Sequence, residues 1–77
     1  MTDNVFVEKA EFTRKYLEPL MIRLAPDVVG VSYELRRDGA ELIHIRYRTT
    51  TGIFKRTVDV TADSLSAMVI DVVRKGI

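Results

Sequence analysis

Three stretches of alternating polarity follow one another along this chain, Val28–Arg36, Glu41–Thr49 and Ile53–Thr61, with a helical pattern on each side of them. That α-β-β-β-α order uses nearly every residue, so few architectures remain. It predicts an α+β fold: a three-stranded antiparallel meander with both helices packed on one face, a two-layer sandwich whose other face is open. The 77 residues make one domain, 1–77. A domain of this size buries only about 60–65% of its unfolded surface, so its margin of stability is modest.

Each element carries its own signature. In the first helix Phe6, Ala10, Thr13, Leu17, Leu20, Met21 and Leu24 share one stripe, with Glu8, Glu11, Lys15 and Glu18 opposite. Pro19 falls on the polar side, which predicts either one kinked helix or two helices meeting at Glu18, with Pro26-Asp27 ending the element. Period two turns Val29, Val31, Tyr33 and Leu35 of the first strand inward, then Ile43, Ile45 and Tyr47, then Phe54, Val58 and Val60. Arg37-Asp38-Gly39 suits a three-residue loop that pairs Arg36 with Ala40. A two-residue Thr51-Gly52 loop then pairs Ile43 with Val60 and Ile45 with Val58, because an odd loop would set inward residues against outward ones. The last helix is expected to start near Thr61 or Asp63 and to stop at Gly76, with Ala62, Leu65, Met68, Val69, Val72 and Val73 as its stripe.

Composition excludes several chemistries. With no cysteine, the chain has no disulfide framework and no thiolate nucleophile or ligand. A lone histidine among scattered acids does not supply the converging ligands of a zinc site, so no metal is expected. No phosphate-cradling glycine pattern is present, and no cofactor is expected. Apolar runs are far too short to span a bilayer, so no membrane partner is expected. The start, Met1-Thr2-Asp3-Asn4, lacks leader character, and the expected compartment is the cytoplasm.

Net charge is only +1, but it is unevenly spread. Between residues 42 and 58 Arg46, Arg48, Lys55 and Arg56 stand without a single acid. Arg36, Arg46, Arg48 and Lys55 project from the open face beside His44, a footprint suited to phosphates. That face has no outward aromatics for bases to stack on. Nucleic-acid binding is therefore the second functional expectation. On the same face the expected register aligns Ser32, His44 and Asp59, a nucleophile, a base and an orienting acid. A flat face excludes no water and offers no oxyanion donors, so catalysis is not expected.

Double-stranded-RNA-binding domains and small toxin ribonucleases share this element order. The first carry a lysine cluster where this chain reads Thr61-Ala62-Asp63-Ser64, and the second a Gly-Ser-His-type motif where it reads Leu42-Ile43-His44-Ile45. The chain is assigned to neither. The leading expectation is a non-catalytic interaction module that binds a protein partner or forms a homodimer. Val28, Val29, Gly30 and Val31 lie on an edge strand with no lysine or proline to guard it, which favours pairing of two first strands. Phe12, Ile22, Ile70 and Ile77 fall off their helices' main stripes and add apolar contact area.

Overall fold

The computed structural model describes residues 3–77; Met1 and Thr2, part of the start read above for a leader, lie outside them. The element order is α1 (Asp3–Phe12), a π-helical segment (Thr13–Leu17), α2 (Glu18–Leu24), β1 (Val28–Leu35), β2 (Glu41–Thr49), β3 (Gly52–Asp59) and α3 (Leu65–Gly76). The strands form one antiparallel sheet in the order β1-β2-β3. Helices cover the face that carries Val31, Ile43, Ile45, Tyr47 and Val58, which join Leu17, Met21, Val28, Val60, Met68 and Val72 in the core.

Pro19 does not split the first helix. The backbone stays helical from Asp3 to Leu24, and the turn before the proline widens, the Glu18 N–H reaching the carbonyl of Thr13. A proline lacks a donor and its ring crowds the carbonyl one turn back, and a π turn accommodates both faults. The widened turn holds one extra residue, so the buried stripe runs Lys9, Thr13, Leu17, Met21. Ala10, Leu20 and Leu24, expected inside, face outward instead.

Both hairpins keep the phase expected of them, and one keeps its register. Tyr33 lies opposite Ile43 and Val31 opposite Ile45, and the Arg36 N–H bonds the Ala40 carbonyl at 2.8 Å. In the second hairpin the loop is Thr50-Thr51, and Ile43 faces Val58 while Ile45 faces Arg56. The expected pairing was off by two residues. Either two-residue loop satisfies the alternation; in the one that forms, Gly52 opens β3 opposite Thr49 with a φ of 137°, open to glycine and closed to β-branched threonine.

A bulge between Val28 and Gly30 corrects the first strand. It hands the inward position to Val28, which is buried, and turns Val29 out to 38% exposure. Leu35 and Phe54, also expected inside, are 44% and 49% exposed because they sit where the sheet outruns the helices. The last helix is capped by Ser64, whose Oγ accepts the Ala67 N–H at 3.1 Å. Gly76 is not a stop beyond the helix but its last residue. A Cβ there would come within 2.6 Å of Met21 and 2.8 Å of Ile45, so glycine permits close approach.

The least expected part of the interior is charged. Lys9 and Glu41 are both buried, with Nζ 2.6 Å from Oε1. The Tyr33 hydroxyl donates to the same oxygen at 2.7 Å, and the Ala62 N–H donates to Oε2 at 2.9 Å. Ala62 holds a left-handed φ of 62°, a strained conformation for a residue with a Cβ. Burial raises the Glu41 pKa, but the hydrogen bonds from Lys9, Ala62 and Tyr33 together with the Lys9 charge outweigh it, and the carboxyl titrates below its ordinary range. Burial and the Glu41 carboxylate push the Tyr33 hydroxyl in the opposite direction, well above the usual phenol.

Because the Glu41 pKa is lower folded than unfolded, its contribution to stability is present above the ordinary carboxylate range and lost as pH falls through the lowered value. Lys9→Met leaves a buried carboxylate without its cation and should cost about 3–5 kcal/mol at pH 7. Denaturant titrations at neutral and acid pH check this, with the gap between variant and parent narrowing as Glu41 protonates.

Candidate functional site: the interaction surfaces

The open face of the sheet is organised in rows. Ser32, His44 and Thr57 form one; Gly30, Arg46 and Lys55 form the next; Arg48 and Ile53 close the face towards the second hairpin turn. Towards the other end stand Glu34, Leu42 and Asp59. Arg46, Arg48 and Lys55 are thus brought together as the sequence suggests, but Arg36 is not. It lies six residues along β1 from Gly30, about 20 Å away, beyond the acidic row.

Arg46 and Lys55 are direct cross-strand partners. Like charges opposite one another destabilise a sheet, and the Arg46 head group lies over Gly30 on the other neighbouring strand. A Cβ on Gly30 would stand 2.2 Å from one guanidinium nitrogen and 2.8 Å from the central carbon. Gly30 therefore leaves room for the Arg46 head group to lie across β1.

Ser32, His44 and Asp59 are not assembled. His44 is opposite Thr57, while Asp59 is opposite Leu42. One ring nitrogen of His44 is 2.6 Å from Glu34 Oε1 and the other 3.2 Å from the Thr57 hydroxyl. Asp59 turns to the backbone of its own loop, Oδ1 accepting the Thr61 N–H at 2.9 Å, and its contacts with Thr61 lower its pKa. The two-residue correction in register accounts for the change of partner. Among the described residues no group of three or more histidine or carboxylate side chains gathers as a metal would require.

The edge of β1 is less bare than the sequence implied. Val28 and Val31 place their side chains in the core, Gly30 lies beneath Arg46, and only Val29 of the four faces solvent. The first helix packs along this strand, and the Glu18 carboxylate accepts the Val31 N–H at 3.0 Å. A side chain from a covering helix thus takes one of the edge donors, a known way of blunting an edge. Glu18 sits on the polar side of the helical wheel, so periodicity gave no sign of this contact.

The helical layer carries an apolar strip on its outer side. A cleft of about 510 Å³ is lined by Val7, Glu8, Glu11, Phe12, Lys15, Tyr16 and Leu65. A second, of about 370 Å³, shares Phe12 and Leu65 and adds Ser66, Val69 and Ile70. Val7, Tyr16 and Ile70 are each more than half exposed, and the Phe12 and Tyr16 rings lie 5.2 Å apart. Phe12 and Ile70 had been singled out as off-stripe. Val7 and Tyr16 were missed: nine residues apart, they fall about 180° from one another on a regular wheel, yet they line the same cleft.

A third cleft, of about 390 Å³, opens beside the buried ion pair between Val5, Phe6, Gly39, Thr61 and Asp63. Asp63 Oδ2 is buried there without a hydrogen-bond partner. Burial and the neighbouring Asp71 carboxylate raise the Asp63 pKa, against the pull of Lys9. A raised carboxyl pKa means the folded state holds its proton more tightly, so ionising Asp63 removes stability as pH rises through the folded value. Asp63→Asn should therefore gain about 1 kcal/mol at pH 7, or roughly 4–8 °C in Tm, by ending an uncompensated burial. Thermal melts across pH test this: the gain should vanish in acid, where the aspartate is already neutral.

No protein-family model, curated protein or solved structure matches this chain.

Proposed function

We propose that the chain is a small, non-catalytic interaction module of the cytoplasm that works by pairing with a second copy of itself through its helical layer. The observation that carries this reading is the apolar strip of Val7, Phe12, Tyr16, Leu65, Val69 and Ile70, which crosses both helices where a two-layer sandwich ordinarily shows charge. Tyrosine and phenylalanine at the middle of such a strip are the residue types that anchor protein contacts.

The charges around the strip favour a copy of the same chain. Glu8 and Glu11 lie on one side of Phe12 and Lys15 on the other, with Lys15 Nζ 3.3 Å from Glu11 Oε1 within the chain. A two-fold axis near Phe12 sets the Glu8 end of one first helix against the Lys15 end of its neighbour, so the rim is self-complementary. A standard interface takes roughly 800 Å² from each partner, a modest share of the 5201 Å² exposed by one chain. Pairing through the β1 edge is less favoured, because it must first displace Glu18 from Val31.

Light scattering after size exclusion tests the proposal. The expected mass is twice the 8.8 kDa of the chain, and Tyr16→Glu or Ile70→Glu should return it to the monomer while the circular dichroism spectrum is kept. A monomer mass for the parent at about 100 μM, where even a weak specific dimer forms, sinks the reading. So does a dimer indifferent to both substitutions.

A further inference from the structure

A different surface lies apart from the helical strip. Three parts of the chain meet at one end of the molecule. The turn after α2 is joined to the second hairpin by the Arg48 N–H, which donates to the Asp27 carbonyl at 2.7 Å. The hairpin is joined to the end of α3 by the Tyr47 hydroxyl on the Gly76 carbonyl, 2.9 Å, and by Arg56 on the Lys75 carbonyl, 2.5 Å. Each part presents an exposed apolar residue: Leu24, Ile53 with Phe54, and Ile77. Each also presents cations: Arg23; Arg48 and Lys55; Arg74 and Lys75. Asp27 is the acid that stands among them.

Some of these charges have an internal reason. Arg23, Arg74 and Lys75 occupy the last turns of helices, where cations complement the helix dipole. Lys55 has none. It stands opposite Arg46 on an exposed sheet face, a like-charge pairing at a cost to the fold, and the Arg46 head group lies across Gly30.

From this arrangement we propose that the end formed by the second hairpin and the two helix C-termini docks on an anionic lipid bilayer, with Ile53, Phe54 and Leu24 entering the headgroup layer. Cations surround an apolar apex here, on both faces of the sheet. That form fits a flat anionic surface with an apolar interior, where basic groups hold phosphates and apolar groups sink below them. A nucleic acid calls instead for cations along one groove or face with aromatics to stack on, and Phe54 is stacked on Tyr47 with ring centroids 5.2 Å apart. No helix among the described residues is long and apolar enough to cross a membrane, so the contact is peripheral. The sequence expectation of no membrane partner came from the length of apolar runs, and this apex is assembled from three separate segments.

Co-sedimentation of the full chain with vesicles tests the proposal. One set is phosphatidylcholine alone, and in the other about a third of the lipid is phosphatidylserine. The chain should partition onto the second set and not the first, and added salt should weaken the binding. Each basic residue near the surface contributes about fivefold, so Arg48→Glu with Lys55→Glu should lower partitioning at least about 25-fold. Lys55→Glu should melt no lower than the parent, since it relieves Arg46, which separates lost binding from lost fold. Ile53→Ser should weaken vesicle binding and leave any binding to a DNA duplex unchanged. Equal partitioning onto both vesicle sets, variants that bind like the parent, or tighter binding to a mixed-sequence duplex at the same salt would each overturn the proposal. Tyr16→Glu, outside this end, should retain vesicle binding, so failure here and failure of the dimer are told apart.

Discussion

Glu41 is the residue on which the rest of the structure hangs. Its carboxylate takes Lys9 from the first helix, the Tyr33 hydroxyl from β1 and the Ala62 N–H from the loop before α3. Its own N–H donates to Thr61 Oγ at 2.9 Å, and its carbonyl accepts the Val60 N–H. Four segments of chain are thus tied at one point where the apolar core thins out. Removing an ammonium and a carboxylate from water is costly, and the geometry offsets that cost by giving both carboxylate oxygens good donors. An arrangement with so many fixed partners tolerates few alternatives, which is what a small core needs if it is to settle on one packing.

How much of this was legible depends on whether the signal was periodic. Alternation placed the three strands and most of their inward positions, because each is a statement about phase, and the Arg37-Asp38-Gly39 loop set the first hairpin register. Alternation cannot distinguish pairings that differ by two residues, which is why the second hairpin was expected two residues away from where it pairs. The bulge at Val28–Gly30 breaks the alternation without any proline or charge to announce it. Lys9 and Glu41 were unreadable for a different reason: a buried ion pair joins residues 32 apart, and neither residue alone differs from a surface charge. Of the candidate surfaces, the sequence located the basic hairpin and two members of the helical strip. Arg36 was grouped with that hairpin because facing the same side says nothing about distance along the strand.

Charge is weighted along the length of the molecule. Glu34, Asp38, Asp59 and Asp63, with Arg36 and Arg37 among them, lie towards the first hairpin and the start of α3, while Arg23, Arg48, Lys55, Arg74 and Lys75, with Asp27 among them, lie towards the other end. The net charge of +1 conceals this separation. Both helices point their C-termini at the basic end, so their dipoles are complemented by the side chains there. A molecule so polarised orients itself in any strong external field before it makes contact.

The widened turn at Thr13–Leu17 also sets a phase. Each residue of an α-helix turns the chain by about 100°, and the one extra residue held in the π segment rotates everything before it by that amount relative to everything after. It is this rotation that aims Lys9, rather than Ala10, at the sheet. The segment therefore works as a gear between two halves of one helix: the half after it is set by Leu17 and Met21 against the core, and the half before it by Lys9 on Glu41. Loss of a single residue here would leave a regular helix in which eleven steps of about 100° separate Lys9 from Met21, within about 20° of the same face, so Lys9 would still meet the charge buried opposite. What the π turn supplies is room for a change of length: it takes up one extra residue and keeps both halves of the helix in mesh.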